Sequence, residues 1–287
     1  MDRTRYQIVR ALKKKPMTVW QLVNEVDAHL AELVSVLRRM LRNKEIVAGK
    51  DKKIRLRKSK VKAEEKIELL CPKCKGQTIL LKGKFKRYFD KFRKATKGRP
   101  LPIEEFDQGF MRAYDTMLRT AYIYLRGDLE GRKIFIIGDD DLLSLAMAIT
   151  GMPTEVRVIE IDERIVDFIN EKAKQLKLKN VYAEIGDARK ELPSRFKKKY
   201  DTFVCDPVET IPGIKLFLSR GASALKGIGS ALYFGLTHLE ASNEKWYKIE
   251  EMLLRMGFAI TDIIRDMSIY PYGENKWERF REKHPIF

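Results

Sequence analysis

The chain has 287 residues, 44% of them hydrophobic, and a net charge of +18, enough for one large domain plus a small one. No apolar run approaches the roughly 18 residues that span a bilayer, and no signal peptide precedes the first helix, so we expect a soluble, cytoplasmic protein. Three cysteines, two of them in CPKC, exclude an extracellular disulfide framework.

The charge is unevenly spread. Residues 1–100 hold 30 Lys and Arg against 10 Asp and Glu, whereas residues 101–287 hold 28 against 30. The basicity belongs to the N-terminal part, and no general polyanion field serves the rest. A charged content of 34%, with Lys and Glu prominent, suits a heat-adapted protein.

Apolar residues at helical spacing recur around Tyr6, Val9 and Leu12, around Leu22, Val23 and Val26, and around Leu33, Leu37 and Leu41. The short alternating runs EIVAG and KIRLRK follow, hinged by Gly49 and Asp51. Three helices and a hairpin predict a winged helix over residues 1–60. There Arg38, Arg39, Arg42, Lys52, Lys53 and Arg55 are placed to meet nucleic acid, with a docking or dimerisation role equally open. Residues 61–100 read as a basic connector carrying Cys71 and Cys74 in CPKC and the amphipathic stretch KFKRYFDKFRKATK. Two thiolates fall short of the four ligands of a structural zinc, and His29, His238 and His284 show no ligand spacing, so we expect a metal-free turn.

Over 101–287 strands and helices alternate: KIFII, VRVIEID, VYAEIGD, YDTFVCD, SALYFGLT and FAITDII are the strands. Continuous apolar strands at this spacing predict an α/β, Rossmann-like, doubly wound parallel sheet of the class I methyltransferase type. Ligands of such sheets lie beyond the carboxyl ends of the strands. Here those ends are acidic: Asp139, Asp140 and Asp141 after Gly138, then Glu160, Asp162, Asp187 and Asp206. One aspartate would be a helix cap, but three in succession exceed what capping needs.

A pyrophosphate on that helix N-terminus would face three carboxylates, which disfavours NAD and nucleoside triphosphates. An adenosine ligand without phosphates fits. Glu160, with Asp162 behind it, suits the ribose hydroxyls, and Asp187 with Ala188 suits the adenine edge. Ordinary S-adenosylmethionine carries a carboxylate that the aspartates would repel, whereas the decarboxylated form ends in an ammonium that they attract.

FDQG, RGDLEGRKIFIIGDDDLLSLA, EIDERI, DPVETI, GIGSALYFGLT and TDIIRD, from about Phe106 to Arg265, resemble the branched-chain polyamine synthases, or bis(aminopropyl)spermidine synthases, of thermophilic archaea and bacteria. The resemblance implies transfer of an aminopropyl group from decarboxylated S-adenosylmethionine, as co-substrate, to a secondary amine of a spermidine-like polyamine, without prosthetic group or metal. Position in the family motif makes Asp140 the residue between amine and sulfonium, with Asp139 and Asp141 tuning its proton affinity or anchoring ammonium groups. Asp206 is the second candidate for orienting or deprotonating the nucleophile. Asp107 and Gln108 would line the substrate entrance, Glu209 would bind a distal ammonium or serve as a helix first-turn acid, and Tyr233 and Phe234 would wall the aliphatic spacers or belong to the core. Two departures stand out: Val208, where the family has a second proline, would loosen the turn that holds Asp206, and the chain ends soon after FAITDII, which touches substrate size. Pairing into a homodimer is open. A methyltransferase acting on an amine or nucleic acid is the rival enzyme, and a DNA-binding regulator with an adenosine sensor the rival of another class.

Overall fold

In a computed structural model the described residues are 2–57, 71–74, 76–237 and 241–271. They fall into two compact units, those within 1–69 and 236–248 and those within 70–235 and 249–271. His238, His284 and the C-terminal KWERFREKHPIF lie outside the described residues.

The first unit contains α1 (Arg3–Lys14), α2 (Val19–Glu25) and α3 (Leu30–Arg42), followed by β1 (Ile46–Ala48) and β2 (Ile54–Leu56), which pair antiparallel. Ile8, Leu22, Leu33, Leu37 and Ile54 meet in its core, as the helical spacing predicts. Thr18 starts α2 with a capping box to Gln21. Of the cations expected to face nucleic acid, Arg39 is paired with Asp2 and Arg55 grips Asp51 through both guanidinium nitrogens, at 2.9 and 2.6 Å.

The second unit begins with the CPKC turn, in which the Cys71 thiol is drawn below its usual proton affinity by the amides of Cys74 and Lys73. Among the described residues no cluster of three metal-ligating side chains forms, and no helix is long and apolar enough to cross a membrane. The amphipathic stretch of the connector forms a helix, α4 (Lys84–Ala95), with Phe85 and Phe92 buried in the sheet core. Aromatic residues at 85, 88, 89 and 92 give it an apolar face that its lysines mask in composition.

Then come α5 (Ala113–Leu125), β3 (Lys133–Ile137), α6 (Leu143–Ile149), β4 (Glu155–Glu160), α7 (Glu163–Gln175), β5 (Val181–Ile185), β6 (Thr202–Cys205), α8 (Ile211–Ala224), β7 (Ala231–Phe234) and α9 (Asn243–Arg255). The strands form one parallel sheet in the order β5-β4-β3-β6-β7. The order reverses between β3 and β6, so the switch point lies where Ile137 pairs with Cys205. Ile134, Ile136, Val156, Val158 and Val204 pack on one face against Phe92, Met117 and the residues of α6. On the other, Phe135 stacks with Phe196, Tyr200 and Phe203.

The expected sixth strand, FAITDII, is absent. Residues 258–264 form no ladder, and Ile260 and Ile263 are 40% and 60% exposed. Apolar alternation reports a tendency to be buried, but a strand also needs a neighbour that completes its hydrogen bonds. Here Asp262 turns outward to Arg126 at 3.4 Å.

Gly221 lets α8 press onto the sheet: a Cβ there would stand 2.0 Å from two ring atoms of the fully buried Phe203. Ala in place of Gly gains about 1 kcal/mol of helix propensity, whereas overpacking costs about 1–3 kcal/mol. Gly221→Ala is therefore expected to lower stability in denaturant unfolding; an increase would show that Phe203 has room to yield.

Candidate active site

The apolar strand β3 ends at Gly138, whose φ of +74° suits a residue without a side chain. The next three residues diverge. Asp139 and Asp141 point inward, 1% and 5% exposed, while Asp140 is only partly covered. Asp139 accepts the Ser144 amide at 3.3 Å with both oxygens and so satisfies the first turn of α6. Burial, with Glu160 adding to it, pushes its proton affinity up to about 8. The capping role and the cluster role therefore fall on different members of the same motif.

Glu160 stands at the end of β4 and joins the turns. One oxygen accepts the Asp139 amide at 2.7 Å and the other the Asp162 amide at 3.0 Å. Burial holds its proton affinity above the usual range. Each oxygen keeps a lone pair for a further donor. Asp162 caps α7, accepts from Arg164 at 2.6 and 3.0 Å and from Gln108 at 2.9 Å, and is held below the usual carboxylate range despite its burial. Asp187, after β5, is chelated by the Arg189 side chain, and Ala188 offers its carbonyl to Arg220 at 3.0 Å.

The segment before α5 is tied to the acidic turn. Gly109 donates its amide to Asp140 at 2.9 Å, Met111 to Asp141 at 2.6 Å, and Arg99 reaches the Asp140 carbonyl at 3.1 Å while lying 3.8 Å from the centre of the Phe110 ring. Gln108 is locked between the Ile103 amide and Asp162, and Asp107 adopts a left-handed turn conformation at φ +53° with its side chain exposed. FDQG and GDDD, 32 residues apart in sequence, thus share one site.

Asp206 follows β6 across the switch point. Arg119, from the middle of α5, donates to its Oδ1 at 2.7 Å, the Tyr270 hydroxyl donates to its Oδ2 at 2.8 Å, and Asp141 shares a further hydrogen bond with it. Burial works upward on Asp206, but the Arg119 charge and these three donors outweigh it and hold the group below the usual range. Asp141 moves the other way: burial and the charges of Asp206 and Asp140 raise it well above normal, so Asp141 carries the proton of the pair. Asp140 is raised to about 6, chiefly by burial, with Asp206 and Glu160 adding and the Gly109 amide opposing.

Not every expected residue arrives here. Tyr233 donates its hydroxyl at 2.5 Å to Asp128 of the RGDL turn, whose carbonyl accepts from Thr202 at the start of β6. Its ring packs against the core cluster, so the structure directs it back along the sheet and not toward the carboxyl ends. Phe234 ends β7 half-buried beside Cys205, and Glu209 lies half-buried in the turn before α8, outside the helix itself. Arg119 and Tyr270 were not anticipated. For Arg119 a signal existed, one arginine inside the apolar run MLRTAYIYL, since a cation in a buried helix demands an acid. Tyr270 sits in irregular sequence that offers none.

The chain is similar to known proteins. Residues 88–287 match the family described as Branched-chain polyamine synthase A C-terminal domain. The N(4)-bis(aminopropyl)spermidine synthase of Thermococcus kodakarensis is 36% identical over 258 residues, which span 88% of this chain and 73% of that protein. The protein of the same name from Methanocaldococcus jannaschii is 40% identical over 202 residues, 70% of this chain and 57% of that one. The fold superposes on a branched-chain polyamine synthase mutein of Thermus thermophilus, solved with N4-aminopropylspermidine and 5′-methylthioadenosine, with a TM-score of 0.84 and 35% identity over 93% of this chain and 76% of the other. The chain belongs to the branched-chain polyamine synthase family.

Proposed function

We propose that the protein is an aminopropyltransferase that moves the aminopropyl group of decarboxylated S-adenosylmethionine onto a secondary amine of spermidine or a similar linear polyamine, giving a branched polyamine and methylthioadenosine. The observation that carries this reading is the geometry of the acidic turn: of three consecutive aspartates at the sheet's switch point, two are buried and Asp140 alone is partly exposed, beside a carboxylate held charged.

The reaction needs an amine that has lost its proton while the rest of the polyamine stays cationic. Asp140 suits the first task, because a base is most effective when its proton affinity lies near the working pH. The amine nitrogen attacks the aminopropyl carbon next to sulfur, and the carbon–sulfur bond breaks with its electron pair going to sulfur. The amine proton passes to Asp140. The sulfonium becomes the neutral thioether of methylthioadenosine, and the new tertiary amine keeps all its carbons.

The spare lone pairs of Glu160 are the acceptors for the ribose hydroxyls, with Asp162 holding the loop behind, and Asp187 with Ala188 flanks the adenine. Gly138 gives the nucleoside room at the strand end. Donor choice is electrostatic: the ammonium tail of the decarboxylated donor meets the acidic turn, and the carboxylate of the ordinary donor would be repelled there. Asp107, Gln108 and Glu209 lie on the segments that frame the entrance for the polyamine. The methyltransferase rival fails on the same electrostatics.

Incubation with spermidine and each donor tests this. Methylthioadenosine is expected only from the decarboxylated donor; adenosylhomocysteine from the ordinary donor would overturn the reading in favour of methyl transfer. Asp140→Asn is expected to fold normally, by circular dichroism and melting, and to lose about 10²–10⁴-fold in kcat. Because Asp140 must be ionised to accept a proton, kcat/KM for the native protein should fall as pH drops through about 6. A profile flat down to pH 5 would remove Asp140 from this role.

A further inference from the structure

Asp206 differs from the buried acids that crowd it. Asp139, Asp141 and Glu160 are enclosed among like charges, and each is pushed toward holding a proton. Asp206 keeps 24% of its side chain exposed, and three donors converge on it, one of them cationic. Arg119 is 11% exposed in its side chain and reaches both Asp206 and, at 3.4 Å, the Ser268 hydroxyl. The pair meets against Gly235, just past β7, where a Cβ would stand 2.6 Å from Asp206 Oδ1 and 2.9 Å from Arg119 Nη2. A residue with any side chain at that position would wedge the two apart.

Tyr270 reaches Asp206 because residues 267–270 are strapped to α5 and its approach. Gln77 donates to the Met267 carbonyl at 3.0 Å, the Ile269 amide donates to the fully buried Asp115 at 3.0 Å, and the Arg112 amide donates to the Ile269 carbonyl at 2.9 Å. Asp115 is itself neutralised by Arg112 at 2.8 and 2.9 Å. These anchors fix the backbone independently of the tyrosine hydroxyl, which has Asp206 as its acceptor.

We propose that Arg119 and Tyr270 are positioning residues for aminopropyl transfer: together they keep Asp206 as a fixed negative charge that holds an ammonium group of the polyamine, and so leave the proton of the reacting amine to Asp140. The inference rests on the function proposed above and divides labour between two carboxylates that sequence alone left as rivals for one role. A carboxylate already accepting from a guanidinium, a phenol and a carboxylic acid is a poor base, because each donor stabilises its ionised form. The same donors make it a dependable charge. Asp140, with one side-chain oxygen taken by an amide and its surface partly open, is the better acceptor. The groups facing Asp206 are Arg119 from α5, Asp140 and Asp141 from the turn after β3, Tyr270 from the strap and Cys205 beside it in β6; Arg119 is the cation among them.

Tyr270→Phe tests the division, because it removes one donor and leaves the strap's backbone anchors in place. Steady-state kinetics at pH 8 and pH 6, with methylthioadenosine affinity by calorimetry, supply the readouts. The expected result is a polyamine KM raised about tenfold at both pH values, because Arg119 still holds Asp206 charged, with kcat and methylthioadenosine affinity nearly unchanged. Arg119→Lys, which keeps the charge and loses the fork, should show the same signature more weakly. A fall in kcat with KM unchanged, or a parallel loss of methylthioadenosine affinity, overturns the proposal. A native protein that releases no methylthioadenosine from the decarboxylated donor overturns the reading of function instead; a native protein that turns over, with a Tyr270→Phe variant indistinguishable from it, overturns this inference alone.

Discussion

The ion pair between Arg119 and Asp206 is the interaction on which the rest of the site depends. Several carboxylates at one sheet switch point repel one another, and burial magnifies the repulsion because little water remains to screen it. A protein has two ways out of that difficulty: to let some of the acids keep their protons, or to bring a cation in. Both are used here. Asp139, Asp141 and Glu160 drift toward the protonated form, and one guanidinium from the middle of α5 holds Asp206 charged, as Arg164 and Arg189 do for Asp162 and Asp187. Losing that guanidinium would leave a buried charge without its counter-ion, a far larger disturbance than loss of an exposed pair.

Much of this was legible in the residues. Apolar strands at regular spacing announce the parallel sheet, and an acidic turn at the end of its first strand announces a cationic ligand. The strand ends carry Asp139–Asp141, Glu160, Asp187 and Asp206 as anticipated. What the sequence could not convey was which acid faces which partner. GDDD reads as three equal charges, yet the backbone turn distributes them into a cap, an open carboxylate and a buried acid. Arg119 and Tyr270 belong to no motif and come from segments 87 and 64 residues from Asp206, so their convergence is a tertiary fact. Tyr233 shows the reverse. It lies in a motif, but its ring is long enough to reach back to Asp128, and a phenol in a core takes the nearest acceptor.

The same limit applies to α4 and FAITDII. The amphipathic pattern of α4 names no partner for its apolar stripe, whose aromatic residues settle on the sheet core, while the apolar letters of FAITDII read as a strand that lacks a ladder. In each case period and composition give the preference of a segment, and the neighbour that satisfies it decides the outcome. The neighbours also explain why FDQG and GDDD belong together: amides of the first motif's segment are the donors that the carboxylates of the second require.

A glycine-rich turn at this position would let a phosphate approach the backbone; the turn here has the opposite design and needs rigidity instead. Leu142 takes a left-handed conformation at φ +56°, a shape that costs a branched residue about 1 kcal/mol or more and that glycine would adopt freely. Its side chain is fully buried and its amide donates to the Asp139 carbonyl at 2.9 Å, so packing and hydrogen bonding over-determine the strained residue. A glycine would relieve the strain and forfeit the apolar anchor that fixes the turn. The fan of carboxylates, two inward and one outward, survives only if the backbone between them cannot rotate. Leucine in a glycine's conformation is thus part of the electrostatics: it holds Asp140 open while Asp139 and Asp141 stay enclosed.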